Sequence, residues 1–276
     1  MNKKFSFIFS IIFFTLFFFT QIAFAVDSKT IHNPNVHHQR PNAAIQKQAD
    51  WFSFSVDSEF LSRYVYQGQA SSDGWVWQPS ATVEVFNIGF NVWANYVLDD
   101  IPDQGKFNEI DLTTYYNLEL GNLTIHPYLL LCFYPTDNEL SLDYSADTDV
   151  KPSLHLAYTL GPIDFFTEVI FYAHPHPGAL IFNFGLGFEH EFIENFGIET
   201  SALVALANSR FNRQAFGVNK TKFNHFTYSL GLPWKPIKGL TITPQANVSA
   251  IFSQDLRNGT LYPFLVWGGL DVSYDF

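Results

Sequence analysis

The chain has 276 residues, 47% of them hydrophobic and 18% aromatic, and carries a formal net charge of −11. That acidic balance excludes a nucleic-acid surface, which needs clustered Lys and Arg, and the sole cysteine, Cys132, excludes an internal disulfide and a thiolate-built metal site. So many aromatics at a mean hydropathy near zero are odd for a soluble domain and suit a wall that is apolar outside and polar inside.

The amino terminus reads as a targeting device. Asn2, Lys3 and Lys4 form a basic start, an apolar run follows from Phe5 to about Phe19, and Ala23-Phe24-Ala25 supplies a small-x-small cleavage pattern before Val26. Residues 1–25 are therefore expected to be a signal peptide removed after Ala25 on Sec export. No other apolar run is long enough to cross a membrane as a helix, which excludes a helical-bundle membrane protein. Residues 26–50 lack periodicity and hold Asn33-Pro34-Asn35 and His37-His38, as expected of a flexible periplasmic lead-in.

From Trp51 onward apolar and polar residues alternate in twelve strand-length segments. The first six fall at about 51–66, 75–86, 88–98, 109–120, 123–134 and 150–160, the rest at 163–174, 180–192, 196–208, 222–233, 240–252 and 261–276. Short turns such as Asn87-Ile88-Gly89, Gly121-Asn122 and Gly161-Pro162 alternate with longer, more polar connections at 67–74, 99–108, 135–149 and 209–221. An even strand count with that alternation predicts an all-β fold: a single antiparallel transmembrane β-barrel of 12 strands over residues 51–276, with periplasmic turns, extracellular loops and both termini inside. An unpaired edge in hydrocarbon costs several kcal/mol per group, so the first strand should pair with the last. Twelve strands about 4.8 Å apart give a backbone diameter near ~24 Å and a bore of at most about 10 Å, provided no loop folds in.

Parity sorts side chains between lipid and lumen. Trp75, Trp77 and Val83 oppose Gln78, Ser80 and Glu84; Ile110 and Leu112 oppose Asp111 and Glu119; Phe182 and Phe184 oppose Asn183 and Glu189. Aromatics at strand ends, Phe52, Tyr64, Trp75, Trp77, Tyr96 and Tyr274 among them, form two interfacial girdles. The inward set is acidic. Asp57, Glu59 and Glu84 come from the first two strands, Asp111 and Glu119 from the fourth, Asp164 and Glu168 from the seventh, Glu189, Glu199 and Asp271 from later ones, against Arg63 and Lys151. Such a lining favours cations by focusing a negative potential, and equally suits a wall whose acids are merely solvated and hydrogen-bonded. The first reading gives a porin-like channel for small cationic or neutral solutes. The second gives a non-conducting structural barrel plugged by loops 135–149 and 209–221.

A lipid-modifying enzyme is the third reading, and it needs a Ser beside a His base. None of the nine histidines has Ser two residues later; Ser153-Leu154-His155 runs in the reverse order, and Thr227 follows His225. No enzyme activity and no cofactor is expected. His174-Pro175-His176 reads as ordinary loop histidines and Cys132 as a small lumenal filler beside His126 and Tyr128. Val272, Tyr274 and the terminal Phe276 share the lipid face and look like the signal read by the barrel-assembly machinery, the expected partner besides outer-membrane lipid and lipopolysaccharide.

The stretch Ser62-Arg63-Tyr64-Val65-Tyr66-Gln67-Gly68-Gln69, followed by Asp73-Gly74 and Gln78-Pro79-Ser80, resembles the first hairpin of the TorF-like porins, with a Ser-x-Tyr strand entering an Arg-Gly turn. Gln67 stands where those proteins usually carry Arg before Gly68. The resemblance covers about residues 52–98 and, loosely, Tyr274-Asp275-Phe276; it implies a signal-bearing outer-membrane barrel of porin type with no assigned substrate.

Overall fold

The computed structural model describes residues 51–135 and 148–276. The expected signal peptide and lead-in, and most of the loop expected at 135–149, lie outside the described residues. In chain order the first strands are β1 (Phe52–Leu61), β2 (Tyr64–Tyr66), β3 (Gln69–Ser72), β4 (Val76–Val85), β5 (Ile88–Val97), β6 (Lys106–Tyr116), β7 (Leu118–Leu120) and β8 (Leu123–Phe133). They are followed by β9 (Asp149–Leu160), β10 (Ile163–Tyr172), β11 (Ala179–Ile193), β12 (Phe196–Ala207), β13 (Lys222–Gly231), β14 (Trp234–Ile237), β15 (Leu240–Ile251) and β16 (Phe264–Asp275). Two short helices, α1 (Ser209–Phe216) and α2 (Gln254–Arg257), sit in the long connections.

Sequential antiparallel pairing runs round the ring, with β7 continuing β6 past Asn117 and β14 continuing β13 past Pro233, so the wall counts twelve strands. The ring closes as expected: β1 pairs with β16 from Ser55↔Asp275 to Leu61↔Gly269. Closure abolishes the edge and satisfies every wall strand on both sides. Gly269 of β16 serves this seam, since a Cβ there would stand 1.9 Å from the Phe60 carbonyl oxygen of β1, while one on Gly268 would stand 2.7 Å from the Gln245 carbonyl oxygen of β15. At one end the turns are tight. Val85 and Ile88 flank Phe86 and Asn87, both at positive φ (49° and 66°), the geometry that matches strand twist in a two-residue hairpin. The opposite end carries the long loops and both helices.

One register shift has a clear cause. Asn95 pairs with Glu109 but the next residue, Tyr96, pairs with Phe107, so Asn108 is an extra residue in β6. The bulge sends Phe107 outward against Tyr96 (ring centroids 5.0 Å) while Glu109 and Asp111 both turn inward.

One expectation about the loops is corrected. The first strand was expected to run to residue 66, with 67–74 outside; β1 instead stops at Leu61, and Tyr64–Ser72 fold back as a separate two-stranded hairpin. Its turn, Gln67-Gly68, has both residues at positive φ (48° and 77°). Tyr64 leaves the expected girdle and packs against Trp93 inside the barrel, because Leu61, Tyr64, Val65, Val76, Leu265 and Trp267 form one buried apolar cluster there. The connection 209–221, a plug in the non-conducting reading, is helical. It forms α1, capped by the Asn208 side chain accepting from the Phe211 N–H (3.0 Å) and ended by Gly217 in the left-handed region. Phe211 and Phe216 cover an apolar cluster with Leu256 of α2 and the inward-facing Tyr172, Ile181, Ala205 and Ile251. At this rim Lys220 donates to Asp255 (3.0 Å), which holds that exposed carboxyl below its usual range.

Candidate functional site: an acid-lined lumen crossed by a hairpin

The lumenal surface is built by parity, one residue in two along each strand. Glu59 faces Asp271 of β16, and Asp57 accepts from the Ser80 hydroxyl at 3.1 Å. Glu84 accepts from the Asn117 amide (2.8 Å), and Asp164 from Thr159 (2.5 Å). Glu119 stands opposite Thr124, and Glu189 stands opposite Glu199. Glu168 is fully buried and doubly satisfied, accepting from Tyr128 (2.7 Å) and Asn183 (2.8 Å).

The densest cluster lies nearer the loop end. Lys151, with no solvent exposure, places its ammonium 2.8 Å from Asp149 and 3.2 Å from the Cys132 sulfur. Asp111 pairs in register with Cys132, and Glu109 lies two residues along the same face. Burying ammonium and carboxylates together is tolerable because each supplies what the other lost with its water. The sequence reading named Asp111 and Lys151 but not Glu109 or Asp149. Asp149 lies one residue before the predicted strand and so carried no parity; Glu109 opened its predicted segment on the inward parity, a signal present but unused.

Arg63 is a correction. It was expected on the inner wall, but the chain bends after Leu61, and Arg63 pairs instead with Asp73 and stands over the Tyr262 ring, 5.4 Å from its centroid. Tyr262 also donates to Asp73, which pushes its phenol up from the usual range.

The β2–β3 hairpin decides the shape of the lumen. In ring order β9 and β10 are the sixth and seventh strands from β1, so they lie across the barrel from the strand that launches the hairpin. Tyr66 nevertheless reaches them: the Lys151 ammonium lies 4.9 Å from its ring centroid, and its hydroxyl bonds Tyr172. Tyr64 meets Trp93 of β5, ring centroids 5.5 Å apart. The tip faces β13 and β15, where a Cβ on Gly68 would lie 2.7 Å from His225 and 3.1 Å from Ile251. The hairpin therefore spans the lumen and touches strands on every side. The open bore inferred from strand number is narrowed by the first loop. The turn dipeptide Gln67-Gly68 between Tyr66 and Gln69 was the legible sign of a second hairpin; its destination was not legible.

The remaining candidates are placed as follows. Ser153 donates to the Lys151 carbonyl (3.3 Å) and Thr227 to Ser249 (3.2 Å), so neither hydroxyl is set on an imidazole. His174 Nδ1 lies 2.8 Å from the Thr148 carbonyl oxygen. His190 sits between Phe188 and Phe192 on the outer face. Phe276 continues the lipid side, its ring 4.7 Å from Tyr274 and 5.0 Å from Phe54.

No protein-family model matches the chain, and no curated protein does. Among solved structures, the KdgM porin in complex with disordered oligogalacturonate aligns with a TM-score of 0.50 at 12% identity, over 80% of this chain and 99% of that one. The NanC porin aligns with a TM-score of 0.49 at 10% identity, over 80% and 98% of the two chains. The COG4313 outer membrane channel from Pseudomonas putida F1 aligns with a TM-score of 0.49 at 10% identity, over 91% and 100%. At 12% identity the likeness to the KdgM porin is one of fold: a closed antiparallel outer-membrane barrel.

Proposed function

We propose that the protein is an outer-membrane channel for small cationic or neutral solutes, with the β2–β3 hairpin as its constriction. The observation that carries this is the pairing of like charges. Glu59 stands directly opposite Asp271, and Glu189 directly opposite Glu199, all on the parity that alternation assigns to the lumen. Like charges set opposite one another concentrate negative potential along the wall, whatever hydrogen bonds they also make, as Glu59 does by accepting from the Gln245 amide. The inward Lys151 is already neutralised by Asp149. A negative potential in a low-dielectric wall then favours cations over anions. Oligogalacturonate, named with the KdgM porin, is a polyanion; the acids here suit cargo of the opposite sign. The resemblance of residues 52–98 to the TorF-like porins supports the same class.

In planar bilayers the folded protein is expected to give discrete, cation-selective steps. Glu59→Gln with Asp271→Asn, or Glu189→Gln with Glu199→Gln, should move the reversal potential in a salt gradient toward zero. An unchanged reversal potential in both pairs rejects the acids as the selectivity device. A second reading, a barrel kept shut by its own hairpin, is favoured by the contacts that the hairpin makes across the lumen; folded protein that stays silent in the bilayer would establish it.

The carboxy-terminal face supports an assembly role. Val272, Tyr274 and Phe276 share the lipid side, and the Phe276 N–H donates to Phe54 at the seam (3.0 Å). Lipid, lipopolysaccharide and the barrel-assembly machinery are the partners this suits. Deleting Phe276 should lower the yield of inserted protein in cells, while inserted molecules keep their unit conductance. A normal yield would remove the residue from the signal.

A further inference from the structure

Two histidines that the acid lining does not use face each other in register on adjacent strands, His126 on β8 and His155 on β9. Their ring centroids lie 6.5 Å apart and the rings stand nearly perpendicular, at 86°. His155 is 1% exposed, yet neither of its ring nitrogens has a hydrogen-bond partner. Leaving a buried polar ring unbonded is unfavourable, and native interiors rarely keep one without a reason. The ring is held in place by stacking on Phe166 (5.7 Å), as the His126 ring is by stacking on Tyr115 (4.7 Å).

The surroundings of His126 fix its tautomer. The Asn117 amide nitrogen donates to Glu84, which leaves the Asn117 side-chain oxygen as an acceptor. His126 Nδ1 sits on that oxygen and so carries the proton. Nε2 is left with its lone pair. This relay from carboxylate to amide to imidazole is the kind of outer support that orients a metal-binding histidine and raises its basicity.

We propose that His126 and His155 form a lumenal site for a borderline-soft transition-metal dication, Zn2+, Cu2+ or Ni2+, held by His126 Nε2 and one nitrogen of His155. Such ions take imidazole nitrogen, whereas Mg2+ and Ca2+ prefer oxygen ligands. At about 2.0–2.1 Å per metal–nitrogen bond, two rings sharing one ion rest with centroids roughly 5–6 Å apart, against 6.5 Å here. Water completes the coordination. The acids along the wall raise the local dication concentration from which the pair draws.

The test is copper titration of the full mature protein folded in detergent, read by electron paramagnetic resonance, with Zn2+ as competitor. The expected result is one tight Cu2+ per barrel, with splitting from two imidazole nitrogens, displaced by Zn2+. His155→Phe keeps a ring against Phe166 but removes the nitrogens, and should abolish that signal. Asn117→Leu releases the His126 tautomer and should weaken binding about 10-fold or more. Circular dichroism and heat-modifiable gel migration verify that each variant folds. Wild-type binding in His155→Phe, or a site that survives in the His126→Phe/His155→Phe double variant, overturns the proposal and assigns the ion to histidines elsewhere in the chain. Because binding is read in detergent, it stands or falls separately from conductance: a silent bilayer rejects the channel reading alone.

Discussion

Replacing Arg63 to Asp73 by a short Gly-Ser linker is expected to raise unit conductance severalfold while leaving the barrel folded. The segment lies between the last residue of β1, Leu61, and the first of β4, Val76, so its removal touches no rung of the wall. What disappears is the crossing structure: the Tyr64 contact with Trp93, the Tyr66 contacts with Lys151 and Tyr172, and the tip against His225 and Ile251. A two-stranded hairpin is marginal by itself in water, so this one owes its position to those wall contacts. Burying side chains the size of Tyr64 and Val65 contributes about 1.5–3 kcal/mol each, enough to hold the hairpin in place. Freed of it, a twelve-stranded wall approaches its geometric bore of about 10 Å. Conductance equal to that of the parent protein would show that current does not pass the hairpin, and the constriction would have to be sought elsewhere.

The second large effect is expected at Lys151. Lys151→Met removes the ammonium that lies 2.8 Å from Asp149 and faces the same buried cluster as Glu109 and Asp111. Breaking a buried ion pair from one side strands the partner charge, and costs about 3–5 kcal/mol. The measurement is the urea midpoint of the detergent-folded barrel, which should fall. Adding Asp149→Asn should restore part of the loss, because the stranded carboxylate goes with it. The same change removes the cation under the Tyr66 and Tyr172 rings (4.9 and 5.0 Å), so the hairpin should also loosen, seen as faster proteolysis within 64–72. A midpoint equal to that of the parent would mean that the cluster is solvated and the ion pair incidental.

The wall was legible at the level of single strands because its determinant is local. A strand between lipid and water must alternate at period two, so residues such as Phe182, Asn183 and Phe184 announce their faces without reference to any other part of the chain. The same rule placed Glu84, Asp111, Glu168 and Asp271 inside, and the need to leave no bare edge in hydrocarbon demanded the β1–β16 seam. Boundaries such as Ile88–Val97 against an expected 88–98 agree because turn chemistry ends a strand where it ends the alternation.

The interior was not legible, since it depends on which side chains meet across the barrel. Tyr64, Val65 and Tyr66 follow β1 with nothing in their own pattern to separate a longer strand from an inward hairpin; the choice is made by Trp93, Trp267 and Lys151, remote in sequence and brought together only by closure. The same holds for His126 and His155, which become neighbours through the pairing of β8 with β9. From the residues alone came the barrel, its strand count, the two faces of each strand and the acidic sign of the inside, because periodicity and charge are properties of short stretches. Only the tertiary structure decided that the first loop turns inward, that Arg63 leaves the wall for Asp73, and which buried groups face one another, because those contacts depend on long-range register and on the free energy of filling a closed interior.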